Sequence, residues 1–137
     1  MNKALSLIKQ RYLEDNHILG EKEVLNTTLT HVSVNAKGNH VFLVSKADGN
    51  NVYYEHQRVD LSHLDLVKSM AIPKQYRNDF DVNHNKAMIA NWVTRHAGHH
   101  LLDDDISYLV SEKDTLTVVL VPDSMRFTPT SFRLIRL

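Results

Sequence analysis

TLTHVSV, Thr28–Val34, and TLTVVLV, Thr115–Val121, are the two stretches on which the reading of this fold turns. Both alternate with a period of two, which in a β-strand sends successive side chains to opposite faces. In the first, Thr28, Thr30, Val32 and Val34 share one face, and Leu29, His31 and Ser33 share the other. The match predicts an internal repeat in which the two stretches line up.

Working outward extends the repeat. Ahead of TLTHVSV, Leu5, Ile8 and Tyr12, flanked by Ala4 and Leu7, have helical spacing from Asn2 to about Asp15, and Gly20 stops any helix. Behind it, KGN is a turn, HVFLVS a short buried strand and KADGNN a hairpin loop, followed by the alternating VYYEHQRV. In the second half, Met88, Ile89, Trp92, Val93 and His96 form one stripe of a helix over Asn85–Ala97, with Asn83 or Asn85 as cap and Gly98 as stop. ISYLV, TLTVVLV and SFRLIRL follow as strands, with SEKD and Pro122-Asp123 in the connections. KAL at Lys3 matches KAM at Lys86, and YYEHQRVDL lines up with FRLIRL, which pairs Arg58 with Arg136. The expected fold is α+β, with two helix-then-antiparallel-strand repeats of α-β-β-β type at 1–61 and 84–137. A linker at 62–83 joins them. It carries one short helix, with Leu61, Leu64, Leu66 or Val67, and Met70 in register and Ser62 and Asp65 in capping-box spacing.

Composition narrows the function. Lys plus Arg and Asp plus Glu both number 16, so the formal net charge is zero, which argues against nucleic acid as a partner. The absence of cysteine excludes disulfides, zinc ribbons and thiol nucleophiles. The opening MNKALSLIKQRYLEDN has only short apolar runs, so neither a signal peptide nor a membrane span is expected there.

The densest group of titratable residues is RHAGHHLLDDDI, Arg95–Ile106. Zinc hydrolases often place two histidines four apart on one helix face, and His96, His99 and His100 with Asp103 or Asp105 are candidate metal ligands on that spacing. Gly98 interrupts the helix, however, and no Glu stands between the histidines as a base. The simpler reading is a helix exit: His96 continues the apolar stripe, His99 and His100 complement a helix C-terminus, and the aspartates are solvated. No metal or other cofactor and no catalytic residue is therefore expected. DFDVNHN, Asp79–Asn85, starts like a calcium loop at Asp79, Asp81 and Asn83, but His84 replaces the turn glycine and Ala90 the bidentate Glu. Tyr53, Tyr54, His56 and Arg58 could stack single-stranded bases, yet no basic stripe accompanies them. A protein-contact surface explains them as well.

The repeat pattern resembles a family of small α-β domains, often in tandem, found in virion structural proteins of giant (jumbo) tailed bacteriophages. AGHHLLDDDISY stands at the family's helix exit, LTVVLVPDS at its middle strand and RFTPTSFRLIRL at its closing strand, while VYYEHQRVDL matches the closing strand of the first repeat. Pro129 stands where the family usually has Gly, and AG replaces NG at the exit. The resemblance implies a non-enzymatic structural or assembly protein of a tail, baseplate, neck or fibre network. Such a protein is made in the host bacterial cytoplasm, located in the virion, and placed by contacts with other virion proteins and copies of itself, with no membrane partner. The expected interface residues are Tyr53, Tyr54, His56, Arg58, Phe132, Arg133 and Arg136. A small adaptor or inhibitor of one host or phage protein fits the composition equally, and a metal-dependent hydrolase on the histidine cluster is the third reading.

Overall fold

The computed structural model describes residues 3–46, 48–73 and 85–137. The calcium-loop start at 79–84 and the Asn83 cap lie outside these residues. The fold is α+β, with helices and two separate three-stranded antiparallel sheets. The chain forms two compact units, Met1–Arg58 and Val59–Leu137.

In the first unit, α1 (Lys3–Asp15) buries Ala4, Ile8, Tyr12 and Leu13, the face its spacing predicts. The helix ends before Gly20: His17 takes the left-handed conformation (φ 55°), and Ile18 N–H bonds back to Leu13 O at 3.0 Å, a Schellman-type closure. A one-turn helix absent from the sequence reading, α2 (Glu21–Leu25), follows. Then come β1 (Thr28–Val34), β2 (His40–Ser45) and β3 (Asn51–His56), in the order β1-β2-β3. Asp48-Gly49 makes the β2–β3 turn, with Gly49 at φ 83° and the Asp48 carboxylate accepting from Asn50 N–H at 2.9 Å. In the central β2, His40, Phe42 and Val44 are buried and alternate with half-buried Val41, Leu43 and Ser45. Leu29, opposite Val44, is the one buried residue of β1, while Val32 and Val34 are about half exposed at 49% and 54%.

In the second unit, α3 (Lys86–Ala97) precedes β4 (Ile106–Ser111), β5 (Thr115–Leu120) and β6 (Ser131–Ile135), in the order β4-β5-β6. Gly98 ends α3 in the left-handed conformation, as expected. Ile89, Ala90 and Val93 of α3 share one core with Leu109, Leu116, Val118, Leu120, Phe132 and Leu134 of the sheet. His96 is exposed rather than part of the apolar stripe.

The element orders repeat, but the motif match that suggested them is one strand out of step. TLTHVSV is the first strand of its sheet and TLTVVLV covers the second of its own, so β1 corresponds to β4, and β2 to β5. Alternating Thr and Val fits any half-buried strand and does not mark its place in a sheet.

Residues 59–72, which overlap the expected linker, pack into the second unit: Leu61, Leu64, Met70 and Ile72 are core residues. In place of one short helix there are two single 3-10 turns, Ser62–Leu64 and Lys68–Met70, separated where Leu66 turns left-handed (φ 56°). Asp65 does not cap a helix. Its carboxylate accepts from Arg133 N–H at 2.7 Å and holds the Arg133 guanidinium at 3.0 and 2.8 Å. Leu66 N–H and Ile72 N–H bond to Arg133 O and Ile135 O, both at 2.8 Å. The outer edge of β6 is thereby covered by the chain's own backbone.

Candidate functional site

The helix exit at RHAGHHLLDDDI is built around Thr94 and Asp105. The Thr94 hydroxyl accepts from Leu101 N–H at 2.9 Å and donates to Ala90 O at 2.8 Å, tying the chain after Gly98 back to the helix. Leu101 is thereby buried. The Asp105 carboxylate accepts from Leu102 N–H at 2.9 Å, Ser124 Oγ at 3.2 Å and Arg126 Nη2 at 2.6 Å. The Arg126 guanidinium also donates to His100 O and lies 4.9 Å from the centre of the Phe127 ring. Both members of this ion pair are nearly inaccessible, with side-chain exposures of 6% for Asp105 and 9% for Arg126.

Asp105 is therefore not a solvated aspartate but the centre of a buried clamp between the helix exit and the β5–β6 connection. Burial lowers the Arg126 pKa and the Asp105 charge opposes that effect. A guanidinium remains charged under this perturbation, so Arg126 is a cation in this contact. No local pattern points to Arg126 or Ser124 as its partners. They lie 21 and 19 residues from Asp105, and nothing local distinguishes Asp105 from Asp103 and Asp104.

The other candidate ligands point elsewhere. The His96 ring stacks on Trp92 with centroids 3.9 Å apart, and its Nδ1 donates to Trp92 O at 3.0 Å. His99 is half-buried edge-on to His63 at 5.9 Å, and burial, followed by the His63 charge, lowers its pKa. His100 and Asp103 have exposed side chains, and Asp103 accepts from Asp104 N–H at 3.1 Å. Among the described residues, no three His, Asp or Glu side chains converge on a point that could hold a metal ion.

The expected interface residues divide. Tyr53 is 73% exposed, on the sheet face opposite Phe42 and Val44. Tyr54 points the other way. Its ring meets Tyr12 edge-on at 5.1 Å, its hydroxyl is 3.2 Å from His56 Nδ1, and burial raises its pKa. His56 and Arg58 are half-buried. Phe132 cannot serve a surface, since it is 1% exposed in the second unit's core. Arg133 is held by Asp65, and the Arg136 guanidinium bonds to Ser111 Oγ and Glu112 O. These two arginines brace their own unit, a role that strand alternation alone did not reveal. The sequence reading also missed a pair of imidazoles in the first unit, His31 Nε2 and His40 Nδ1, 2.8 Å apart across β1 and β2.

No helix among the described residues is long and apolar enough to cross a membrane. No protein-family model, curated protein or solved structure matches the chain.

Proposed function

We propose that this chain is a non-enzymatic structural or assembly protein of a tailed-bacteriophage virion, acting through contacts with other virion proteins and with copies of itself. The observation that carries this reading is the use made of the densest titratable cluster. Asp105 is committed to Arg126, Ser124 and the backbone of Leu102, and His96 to Trp92. These residues hold a helix exit in shape, which is what a building block needs. A large side chain set outward on a strand, Tyr53, fits a protein-contact surface. The resemblance of the helix exit, middle strand and closing strand to repeated domains of jumbo-phage virion proteins supports the same reading. The test is quantitative mass spectrometry of gradient-purified particles. Many copies per particle are expected, and absence from the particle overturns the proposal.

A further inference from the structure

The two sheets treat their third strand differently. The outer edge of β6 is covered by 65–72 through Leu66 N–H to Arg133 O, Ile72 N–H to Ile135 O and Leu137 N–H to Ile72 O. The corresponding strand of the first unit, β3, pairs with β2 on one side, and among the described residues Asn51–Glu55 make no backbone hydrogen bond on the other. Such an edge is a template for another strand unless it is guarded. β3 carries no proline, lysine or bulge, and its register with β2 is unbroken from Asn51 to His56. Its one charged residue, Glu55, is tied off by Asn39 Nδ2 at 2.7 Å. The opposite edge of that sheet, β1, is guarded by a register shift between His31 and Ser33.

We propose that the β3 edge is a self-association surface, where β3 of a second copy adds antiparallel about a two-fold axis at Tyr53. Strand and register are self-complementary. A two-fold axis perpendicular to the sheet keeps each face on its own side, so Tyr53 lies opposite its own copy, Val52 opposite Tyr54 and Asn51 opposite Glu55. Aromatic with β-branched, and amide with carboxylate, are favourable cross-strand pairs, and no like charges meet. A formal net charge of zero adds no long-range repulsion between copies. The product is one continuous six-stranded sheet. An edge pair of this length buries less than the ~1,200 Å² of a standard interface, so association is weak in dilute solution and is favoured where copies are held close together. The inference deepens the structural-protein reading by naming a partner for the Tyr53 surface, and the two fail separately, one in particle composition and the other in solution.

The test uses the full chain. Sedimentation velocity over about a hundredfold concentration range is expected to show a reversible shift toward twice the 15.8 kDa chain mass. Tyr53→Lys, which sets two ammonium groups face to face at the axis, is expected to weaken association about tenfold or more with an unchanged circular dichroism spectrum. Because the chain has no cysteine, Tyr53→Cys supplies a unique thiol. Paired antiparallel residues have Cα atoms ~4.5–5.5 Å apart, within disulfide reach, so mild oxidation is expected to give a covalent dimer. Val34→Cys on β1 is expected to cross-link far less. A monomer at every concentration, an association indifferent to Tyr53→Lys, or equal cross-linking from both cysteines overturns the proposal.

Discussion

Replacing Asp105 by Ala removes the acceptor shared by Leu102 N–H, Ser124 Oγ and Arg126 Nη2, and it leaves a guanidinium that is 9% exposed with His100 O as its remaining hydrogen-bond partner among the described residues. An unpaired buried charge of this kind costs roughly 3–5 kcal/mol, a large share of the ~5–15 kcal/mol that holds a small domain together. Arg126→Met strands the carboxylate instead, although Leu102 and Ser124 still donate to it, so its cost falls toward the lower end of that range. Arg126→Lys does not restore the clamp, because one ammonium cannot span His100 O and Asp105 as the two guanidinium nitrogens do. The assay is equilibrium urea unfolding read by fluorescence of Trp92, the single tryptophan, whose Nε1 donates to Met70 O inside the same unit. In the double variant Asp105→Ala/Arg126→Met neither charge is left alone. The combined loss should therefore fall short of the sum of the single losses by about 2 kcal/mol or more. Single losses below about 1 kcal/mol, or strict additivity, would refute the reasoning.

Further outcomes follow from the same geometry. Hydrogen bonds from the Arg133 side chain, then from its backbone, depress the Asp65 pKa below its ordinary 3.8, so the pairing contributes above that value and is lost as pH falls through the lower folded value. Asp65→Asn should therefore flatten the fall in urea midpoint below about pH 4, while an unchanged acid limb would count against the pairing. Burial lowers the His99 pKa from 6.5, so the proton NMR titration of its ring should have a midpoint below that value, and His63→Ala should raise it only part-way because burial is the larger cause. Gly98 sits at φ 75° with open space where a Cβ would go, so Gly98→Ala should cost about 1–2 kcal/mol from backbone strain alone, read by Trp92. Val118→Thr, which buries a hydroxyl at a fully enclosed site, should cost ~1–3 kcal/mol, whereas Val32→Thr at a half-exposed site should stay within ~0.5. Equal effects would show that the two stretches have been placed wrongly.

What could be read from the sequence was local. Period and punctuation located α1, α3, the Asp48-Gly49 turn and the Gly98 stop, because each depends on residues within a few positions of one another. The Asp65–Arg133 clamp joins residues 68 apart, and the Asp105–Arg126 pair residues 21 apart. Nothing in the intervening sequence selects these partners. The aspartate run looked like a solvated face or a metal site because two of its three members are exposed, and the tertiary fold chooses the one that is not. The short α2 escaped notice because five residues are too few to show a helical period.

The mispaired motif shows why place in a sheet matters more than pattern. TLTHVSV and TLTVVLV share an alternation, yet β1 is an edge strand with one buried residue while β5 is central and buries Leu116, Val118 and Leu120. A central strand must supply an apolar set to the core, whereas an edge strand can carry His31 and Ser33 at the equivalent places, where they are exposed. The same reasoning separates β6 from β3. One is an edge closed by its own chain and locked by Asp65, and the other, a regular strand carrying Tyr53, has no backbone partner beyond β2 along Asn51–Glu55 among the described residues. Two units of the same element order thus treat their third strand differently, one sealing it and the other leaving Asn51–Glu55 without a second backbone partner among the described residues. An internal repeat that closed the third strand of both sheets would leave neither as a template for another strand.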